Sequence, residues 1–527
     1  MLWAGERVCV HLPGFLEPRR VSEKALAAVS DELSSIPGLT KTMIRTARHW
    51  ASPVPTVLLV MGLVASTDVT LACTGAAGAS QAVAGVGTTH SSSSFPLRLE
   101  AGKRYLVDAA GHPFLIQGDA SWSLIAQLTK EEVRVYLDDR KARGFNTLLV
   151  NLLEHRFSSD PPKNAYGDAP FLTPGDFSTP NERYFAHADW VLELAAEKGF
   201  LVLLTPSYLG WEGRDQGWYA AMARNGSAKL REYGRYLGRR YKDCMNILWV
   251  HGGDYNPPDR GLVRAVAEGI RELDSRALNT ASCGPETSAL EYWRGEPWLQ
   301  VNSLYTYRSV YAAARAAYQR PERLPFFLLE SIYENEHGAT TWQLRAQAYQ
   351  AVLSGAAGQV FGNNPIWSFG APALFPAPGT WRQALGGPGS QSMTHLWTLL
   401  ASRDWWRLAP DFTGATLQPT ARSLALVDEA AAKLTGGPPA ALSRSVAAVA
   451  DDGSLAIAYL PKGREATIDL SQLKGPNVVA SWYDPAGGSY TAVSGGPFPA
   501  TTPRAFRPPG KNSAGDGDWV LVLESAR

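Results

Sequence analysis

From Phe95 onward, short apolar runs rich in β-branched and aromatic residues alternate with longer amphipathic stretches. Such alternation is typical of βα units and a parallel sheet. The amphipathic stretches carry apolar residues at helical spacing, which predicts helices over Lys130 to Arg143, Glu182 to Lys198 and Ala228 to Tyr241. Eight apolar runs are predicted strands: Phe114 to Asp119, Thr147 to Leu153, Leu201 to Pro206, Ile247 to Gly252, Leu278 to Ser282, Leu299 to Leu304, Phe326 to Glu330 and Gln359 to Gly362.

Glycine separates helices from the strands that follow them. Gly144 and Gly199 each end a predicted helix directly before an apolar run. Eight units of this kind in one region predict an α/β fold, a closed (β/α)8 TIM barrel that we assign to residues 95–407 as a catalytic domain.

Beyond Arg407, Pro/Gly clusters bracket short segments of alternating hydrophobicity. This pattern predicts a small antiparallel β-sandwich, an accessory domain over residues 408–527. The predicted strands are Leu455 to Tyr459, Ala466 to Leu470, Val478 to Tyr483 and Trp519 to Leu523.

The longest apolar run, Val54 to Ala65, follows basic residues and is too short to span a membrane comfortably. It has the pattern of a signal peptide, but it lies far from Met1. We therefore expect translation to start at Met43, assign no fold to residues 1–42, and interpret residues 43–94 as a signal peptide and a Gly/Ala/Ser linker. Cys73 follows Leu-Ala and is a candidate lipid anchor, although cleavage within residues 76–84 competes with it. The expected location is exported: periplasmic, cell-surface or secreted.

Charge and composition narrow the choice of partner. The 50 basic and 49 acidic residues almost balance, which argues against nucleic acid or an anionic membrane surface. The 17 Trp residues favour a surface that stacks on sugar rings, so an oligo- or polysaccharide is the expected substrate. No CxxC pair or glycine-rich phosphate loop occurs, so neither metal nor cofactor is expected. Cys244 and Cys283 could form a disulfide, but free thiols are favoured.

Asp254 and Glu330 lie at the ends of the fourth and seventh predicted barrel strands, the ends at which the active sites of such barrels lie. Asp254 follows the fourth strand and two glycines, and Glu330 ends the seventh strand, where a buried charge is costly. Glycoside hydrolysis needs one carboxyl group to protonate the leaving oxygen and a second to attack the anomeric carbon or activate water. We assign Asp254 as acid/base and Glu330 as nucleophile, and a retaining mechanism is favoured.

Polar and aromatic residues recur near the same strand ends. Glu334 is a rival nucleophile but lies beyond the strand, so we expect it either to bind substrate or to support the residues that do. The full set of predicted substrate-binding residues is Asp119, Trp122, Asn151, Glu154, Tyr208, Trp211, His251, Tyr305, Glu334, Asn363 and Trp367.

Three motifs, Gln117 to Trp122, Trp249 to Asp254 and Glu330 to Glu334, resemble those of the apiosidase-like glycoside hydrolases, glycoside hydrolase family 140. The resemblance covers about Phe95 to Glu524. It implies a (β/α)8 catalytic domain, a C-terminal domain of the collagen-binding-like type, and a catalytic pair at Asp254 and Glu330. Established members release apiose from branched pectin. Leu329 and Ser331 depart from the Gly and Pro that commonly flank this glutamate, and a histidine at position 251 is also unexpected.

Two other readings stay open on the sequence alone. The barrel could be the scaffold of a non-catalytic, secreted carbohydrate-binding or adhesion protein, although such a protein has no need of two opposed acids. A metal-assisted hydrolase is the second, but His155 and His251 do not form a ligand set with convincing spacing.

Overall fold

The computed structural model describes residues 94–371, 374–418 and 441–526. The predicted start at Met43, the signal segment and Cys73 lie outside these residues. Among the helices in the described ranges, none combines the length and apolarity needed to cross a membrane. Cys244 and Cys283 are both free thiols, so no disulfide joins them.

A small antiparallel sheet precedes the barrel. Its Leu106 packs in one cluster with Ile116, Leu201 and Leu248, each the first or second residue of a barrel strand. The sheet therefore covers the amino-terminal end of the barrel, opposite the end where an active site is expected. Its strands are β1 (Arg98–Leu99), β2 (Leu106–Val107) and β3 (Pro113–Phe114).

Eight parallel strands form the barrel, in the order β8-β7-β6-β5-β4-β11-β10-β9. The two end strands are bridged where the Val301 amide donates to the Asn279 carbonyl at 3.1 Å and the Ser303 hydroxyl donates to Ala281. The strands are β4 (Ile116–Ala120), β5 (Thr147–Asn151), β6 (Leu201–Thr205), β7 (Ile247–Gly252), β8 (Leu278–Ser282), β9 (Asn302–Tyr305), β10 (Phe326–Glu330) and β11 (Gly358–Phe361).

Helices surround the strands. Thr129 begins α2 with a capping box, its side chain accepting from the Glu132 amide while the Glu132 carboxylate accepts from the Thr129 amide. The helices are α1 (Leu124–Gln127), α2 (Lys130–Ala142), α3 (Glu182–Glu197), α4 (Tyr219–Tyr241), α5 (Gly261–Leu273), α6 (Ala289–Tyr292), α7 (Val310–Tyr318), α8 (Thr341–Leu353), α9 (Trp381–Ala384) and α10 (Pro388–Ala401). Short 3-10 helices lie at Trp211–Gly213, Trp405–Arg407, Ala441–Ser443 and Leu470–Gln472.

Alternate residues of each barrel strand face opposite ways. In β7, Leu248 and Val250 pack inside the barrel, whereas Trp249 packs in the layer between strands and helices. The same alternation in the other strands fills both the barrel interior and the surrounding layer. Polar side chains on these strands therefore reach the barrel axis or the helix layer according to their position.

The C-terminal domain consists of two antiparallel sheets. The larger has the order β12-β14-β15-β21-β17-β18, with β19 also on β17, and the smaller has the order β13-β16-β20. Ile468 and Phe506 from the small sheet share a buried cluster with Leu521 from the large one. The strands are β12 (Leu408–Pro410), β13 (Leu417–Gln418), β14 (Val446–Ala450), β15 (Leu455–Leu460), β16 (Ala466–Asp469), β17 (Asn477–Tyr483), β18 (Tyr490–Ala492), β19 (Phe498–Pro499), β20 (Pro503–Phe506) and β21 (Trp519–Ala526).

Helix α8 joins the barrel to this domain. Arg345 is fully buried and its guanidinium donates to both carboxylate oxygens of Asp518, at 2.7 and 2.8 Å. The Tyr459 hydroxyl donates to the same carboxylate at 2.9 Å, and the Tyr459 ring stacks on Tyr349, with ring centroids 4.7 Å apart. The carboxylates that pair with Arg345 among the described residues, Asp518 and Asp516, both belong to the C-terminal domain.

The predicted barrel and antiparallel β-domain are confirmed. Three strands match their predicted bounds, but the sixth begins at Asn302, three residues later than predicted. Phe114 belongs to the preceding sheet instead of the first barrel strand. Helix α4 begins at Tyr219, nine residues before the predicted start, because it continues across a kink at Gly226, whose φ is 71°. The domain boundaries at residues 407 and 408 stay a prediction.

Candidate active site

A cavity of about 740 Å³ opens among the carboxyl ends of the barrel strands and the loops that follow them. That size suits a small or medium ligand. Eight of the predicted site residues line it: Trp122, Asn151, Tyr208, Trp211, Asp254, Tyr305, Glu330 and Trp367.

Asp254 is held at the cavity by an unusual backbone path. It follows Gly252 and Gly253, whose φ angles are 91° and 134°, and its own φ is 38°. A Cβ on Gly253 would lie 2.3 Å from the Tyr208 ring, so only glycine lets this turn pass so close to the tyrosine. The Tyr208 hydroxyl donates to Asp254 Oδ2 at 2.7 Å. Burial raises the pKa of Asp254 to about 6, and the Tyr208 hydrogen bond partly opposes the rise.

Glu330 is the last residue of β10 and is 7% exposed. Its Oε1 lies 3.4 Å from the Tyr307 hydroxyl, a long hydrogen bond. Burial, and next the negative charge of Asp254, raise the pKa of Glu330 well above its usual range.

Asp254 and Glu330 therefore act on each other across one cavity. Two buried carboxylates close enough to interact cannot both ionise freely, so one proton is retained by the pair over a pH range where isolated acids would have lost it. A pair with one protonated and one ionised carboxyl group is what general acid catalysis beside a nucleophile requires.

Aromatic side chains form much of the cavity wall. Trp122 packs against Tyr208 with ring centroids 6.0 Å apart, and its indole N–H donates to the Tyr333 hydroxyl at 3.0 Å. Trp367 meets Phe157 edge-on at 5.1 Å. Flat apolar faces beside fixed hydroxyl groups suit the faces and rims of sugar rings.

Several lining residues were missed by the sequence analysis. Tyr307 could have been found, because it follows Tyr305 by two residues at a strand end. The others lie on loops, or in the first turn of α8 in the case of Gln343, and no local pattern indicates that these segments reach the cavity. The missed residues are Phe157, Gln216, Tyr307, Ile332, Tyr333, Glu336, His337, Gly338, Ala339, Gln343, Leu374 and Phe375.

Asp119, predicted to bind substrate, does not border the cavity. It points into the layer between β4 and α2, where its Oδ2 accepts from the Tyr136 hydroxyl at 2.8 Å and lies 3.2 Å from Arg140 Nη1. Both charged side chains are completely buried. Asp119 is the partner of a buried arginine, and the prediction of a substrate contact is corrected.

Glu154 is also turned away from the cavity. Its Oε1 accepts from the backbone amides of His155, Arg156 and Phe157 at 2.9 to 3.0 Å, and the Ser123 hydroxyl donates to its Oε2 at 3.2 Å. The Glu154 carboxylate thus stabilises the loop that follows β5, and the predicted contact with substrate is corrected.

His251 lies on the outer face of β7. Its Nε2 is 2.8 Å from Asn279 Oδ1 and its ring packs against Trp298 at 4.9 Å. Complete burial lowers the pKa of His251 to about 4, so the ring is neutral at physiological pH. The predicted substrate contact is therefore replaced by a core hydrogen bond.

The side chains of Glu334 and Asn363 form a hydrogen bond with each other, and neither residue lines the cavity. The Asn363 amide donates to Glu334 Oε2 at 2.7 Å, and the Gly389 backbone N–H at the start of α10 donates to Oε1 at 2.7 Å. A carboxylate at a helix N-terminus is stabilised by the helix dipole. Glu334 is thereby committed to a structural role.

Within the described ranges, no group of three His, Cys, Asp or Glu residues is placed to hold a metal ion. The titratable groups that line the cavity from these ranges are three carboxyl groups, four tyrosine hydroxyl groups and the imidazole of His337. An eight-stranded parallel barrel with an interacting carboxyl pair at this end is the architecture of a glycoside hydrolase.

The family model for the apiosidase-like catalytic domain matches residues 100–407, more than half of the chain. The chain belongs to this apiosidase-like family. Residues 436–524 match the model for a proposed collagen-binding domain of a collagenase. No curated protein is significantly similar to the chain. The assignment to glycoside hydrolase family 140 stays a prediction.

Solved structures share the fold. A glycoside hydrolase family 5 protein from Bacteroides vulgatus is 24% identical with a TM-score of 0.69, covering 82% of this chain and 93% of its own. A second structure, described as a glycoside hydrolase, is 23% identical with a TM-score of 0.69, covering 82% of this chain and 98% of its own. At these identities the likeness concerns the fold, barrel and β-domain together.

Proposed function

We propose that the protein hydrolyses a glycosidic bond with Asp254 and Glu330 as its two catalytic carboxyl groups. The observation that carries this proposal is their electrostatic interaction within one aromatic-walled cavity. Burying an ionised acid without a neighbouring cation lowers the stability of the fold. Such burial is found at active sites, where a raised pKa allows a carboxyl group to donate a proton.

In the proposed mechanism Glu330 attacks the anomeric carbon while Asp254 protonates the leaving oxygen. A water molecule deprotonated by Asp254 then releases the sugar with retained configuration. The Tyr208 hydrogen bond favours the ionised form of Asp254. The mechanism therefore requires the proton shared by Asp254 and Glu330 to be on Asp254 once the substrate is bound. The approach of the leaving oxygen to Asp254 promotes this position of the proton.

The proposed substrate is a plant or microbial polysaccharide, with apiose-containing pectin as the first choice. Support comes from the apiosidase-like family to which the chain belongs and from the aromatic cavity wall. The near balance of acidic and basic residues also fits a substrate that is not selected by strong charge attraction.

Export is a second part of the proposal. The apolar run Val54 to Ala65 with its preceding basic residues supports it, and Cys73 is the proposed site of lipid attachment. Fractionation of cells expressing the full chain, with labelled fatty acid and a Cys73→Ser variant, tests both points. Label retained by Cys73→Ser would contradict the anchor, and protein found only in the cytoplasm would contradict export.

The central experiment measures sugar release from a panel of pectic and other glycans by wild type, Asp254→Ala and Glu330→Ala. Each substitution should lower the rate by more than ~100-fold, since each removes one chemical role. Azide should then rescue each variant differently. Rescue of Glu330→Ala should give a glycosyl azide of inverted configuration, and rescue of Asp254→Ala one of retained configuration.

Activity that survives in both variants would contradict the assigned pair. If each variant instead gave the glycosyl azide expected of the other, Asp254 would be the nucleophile and Glu330 the acid/base. Binding of glycans by wild type without release of sugar would instead support a non-catalytic carbohydrate-binding protein.

A further inference from the structure

Glu336 is a third acidic side chain at the cavity, and no role has been assigned to it. It lies on the loop that follows β10, six residues after Glu330. The loop folds back over the cavity through left-handed residues, with φ angles of 66° at Asn335, 49° at His337 and 71° at Gly338. Glu334, anchored at the start of α10, holds the beginning of this loop.

The hydrogen bonds of Glu336 leave part of its carboxylate available. Trp367 Nε1 donates to Oε1 at 2.9 Å, and within the described residues no hydrogen bond to Oε2 is seen. Trp367 itself lines the cavity and packs against Phe157. The tryptophan thus fixes one carboxylate oxygen of a cavity-lining residue and leaves the other without a hydrogen bond from the described residues.

Buried acids with a structural role in the described fold have either a cationic partner or backbone amide donors, as Glu154 and Glu334 do, and Glu336 has neither. Asp119 pairs with Arg140 at 3.2 Å, and Glu296 pairs with Arg264. Among the described residues that line the cavity, none is Lys or Arg. An acid kept half-buried without a cation lowers stability, which leaves ligand binding as the reason for its position.

We propose that Glu336, fixed by Trp367, is a substrate-positioning residue that accepts hydrogen bonds from hydroxyl groups of the glycosyl unit attacked by Glu330. This inference rests on the proposed glycoside hydrolysis and adds to it a specificity-determining group. A carboxylate with one oxygen fixed can accept from adjacent hydroxyl groups, which orients the ring and thereby its anomeric carbon.

Electrostatics supplies a second, separable readout. The charge of Glu336 raises the pKa of Glu330, after the larger effects of burial and Asp254. Burial raises the pKa of Glu336 itself to about 7. The charge of Glu336 acts on Glu330, Tyr307 and Tyr333, while Asp254 lies elsewhere on the cavity wall and His337 lies beside Glu336 on the loop. Removing its charge should therefore lower the pKa at which the catalytic pair loses its shared proton.

The test compares wild type with Glu336→Gln and Glu336→Ala, using Glu197→Gln on the exposed end of α3 as the matched control. Two assays are run: hydrolysis of the glycan panel, and calorimetric binding of apiose, rhamnose, arabinose, galactose and xylose. Glu336→Gln should weaken sugar binding and lower kcat/KM by ~10- to 100-fold, the range for hydrogen bonds to a charged group. The basic limb of the profile of kcat/KM against pH should also move to lower pH in Glu336→Gln.

Sugar affinity and kcat/KM within twofold of wild type in Glu336→Gln would overturn the inference, and so would an unmoved pH limb alongside unchanged binding. Failure of the proposed function has a different signature. Wild type would then bind a sugar and hydrolyse no glycan, while the loss of sugar binding in Glu336→Gln would still support the positioning role.

Discussion

Tyr208 shows how one residue can serve both packing and electrostatics. Its ring packs against Trp122 and against Gly253, while its hydroxyl donates to Asp254. The hydrogen bond favours the ionised form of Asp254, against the raising effect of burial. Tyr208 therefore sets how much of the acid is protonated near neutral pH.

Tyr208→Phe should raise the pKa of Asp254 above its present value of about 6, because the ionised form loses a donor while burial is unchanged. The limb of the kcat/KM profile that depends on Asp254 should move to higher pH, and its plateau should fall ~10-fold. Tyr184→Phe is the control, since the Tyr184 hydroxyl donates to the Leu152 carbonyl away from the catalytic pair. A limb that stays in place, or moves equally in the control, would contradict the role of Tyr208.

At the scale of single elements, the backbone at the end of β7 determines the position of Asp254. The strand delivers two glycines in left-handed conformation, and the chain then passes so close to Tyr208 that no side chain fits at position 253. This close approach places Asp254 beside its hydrogen-bond donor. The position of Asp254 depends here on the absence of a Cβ atom at Gly253.

Gly253→Ala should lower kcat by ~100-fold, because the added Cβ would displace Tyr208 or the turn, and small misplacements of catalytic groups are costly. Gly295→Ala separates this effect from backbone strain, since Gly295 has a φ of 85° but nothing within 4 Å of an added Cβ. The measurement is kcat together with the melting temperature of both variants. Equal losses of kcat in the two variants would show that the close approach is unimportant.

At the scale of the whole molecule, the barrel and the C-terminal domain share a buried charge network. Arg345 on α8 is fully buried, and its partners Asp518 and Asp516 belong to the C-terminal domain. Removing Arg345 would leave the Asp518 carboxylate buried in the interface without its cation. The two domains are therefore expected to unfold together.

Arg345→Met should lower the free energy of unfolding by ~3 to 5 kcal/mol, because it leaves Asp518 buried without its cation. Urea titration of wild type should show one transition. The matched control is Arg231→Met, which breaks exposed pairs with Glu268 and Glu272 and should cost less than ~1 kcal/mol. A similar cost in both variants, or two separate transitions in wild type, would contradict the shared network.

The sequence by itself determined the architecture and the position of the two acids along it. Hydrophobic periodicity depends only on local spacing along the chain, so the sequence is enough to locate the eight strands. The same spacing places Asp254 and Glu330 at strand ends. Alternation could also have identified the outward-facing residues. Asp119 and His251 are out of phase with Ala120 and Val250, which pack inside the barrel.

Only the tertiary structure decided which polar groups meet in the cavity. An irregularity in the register of β10 between Leu328 and Glu330 breaks the alternation, so the face of the glutamate could not be counted from the strand. The commitment of Glu334 to the start of α10 and the return of Glu336 to Trp367 depend on contacts between residues far apart in the chain. Such contacts leave no periodic trace, because they are set by how elements pack and not by local spacing.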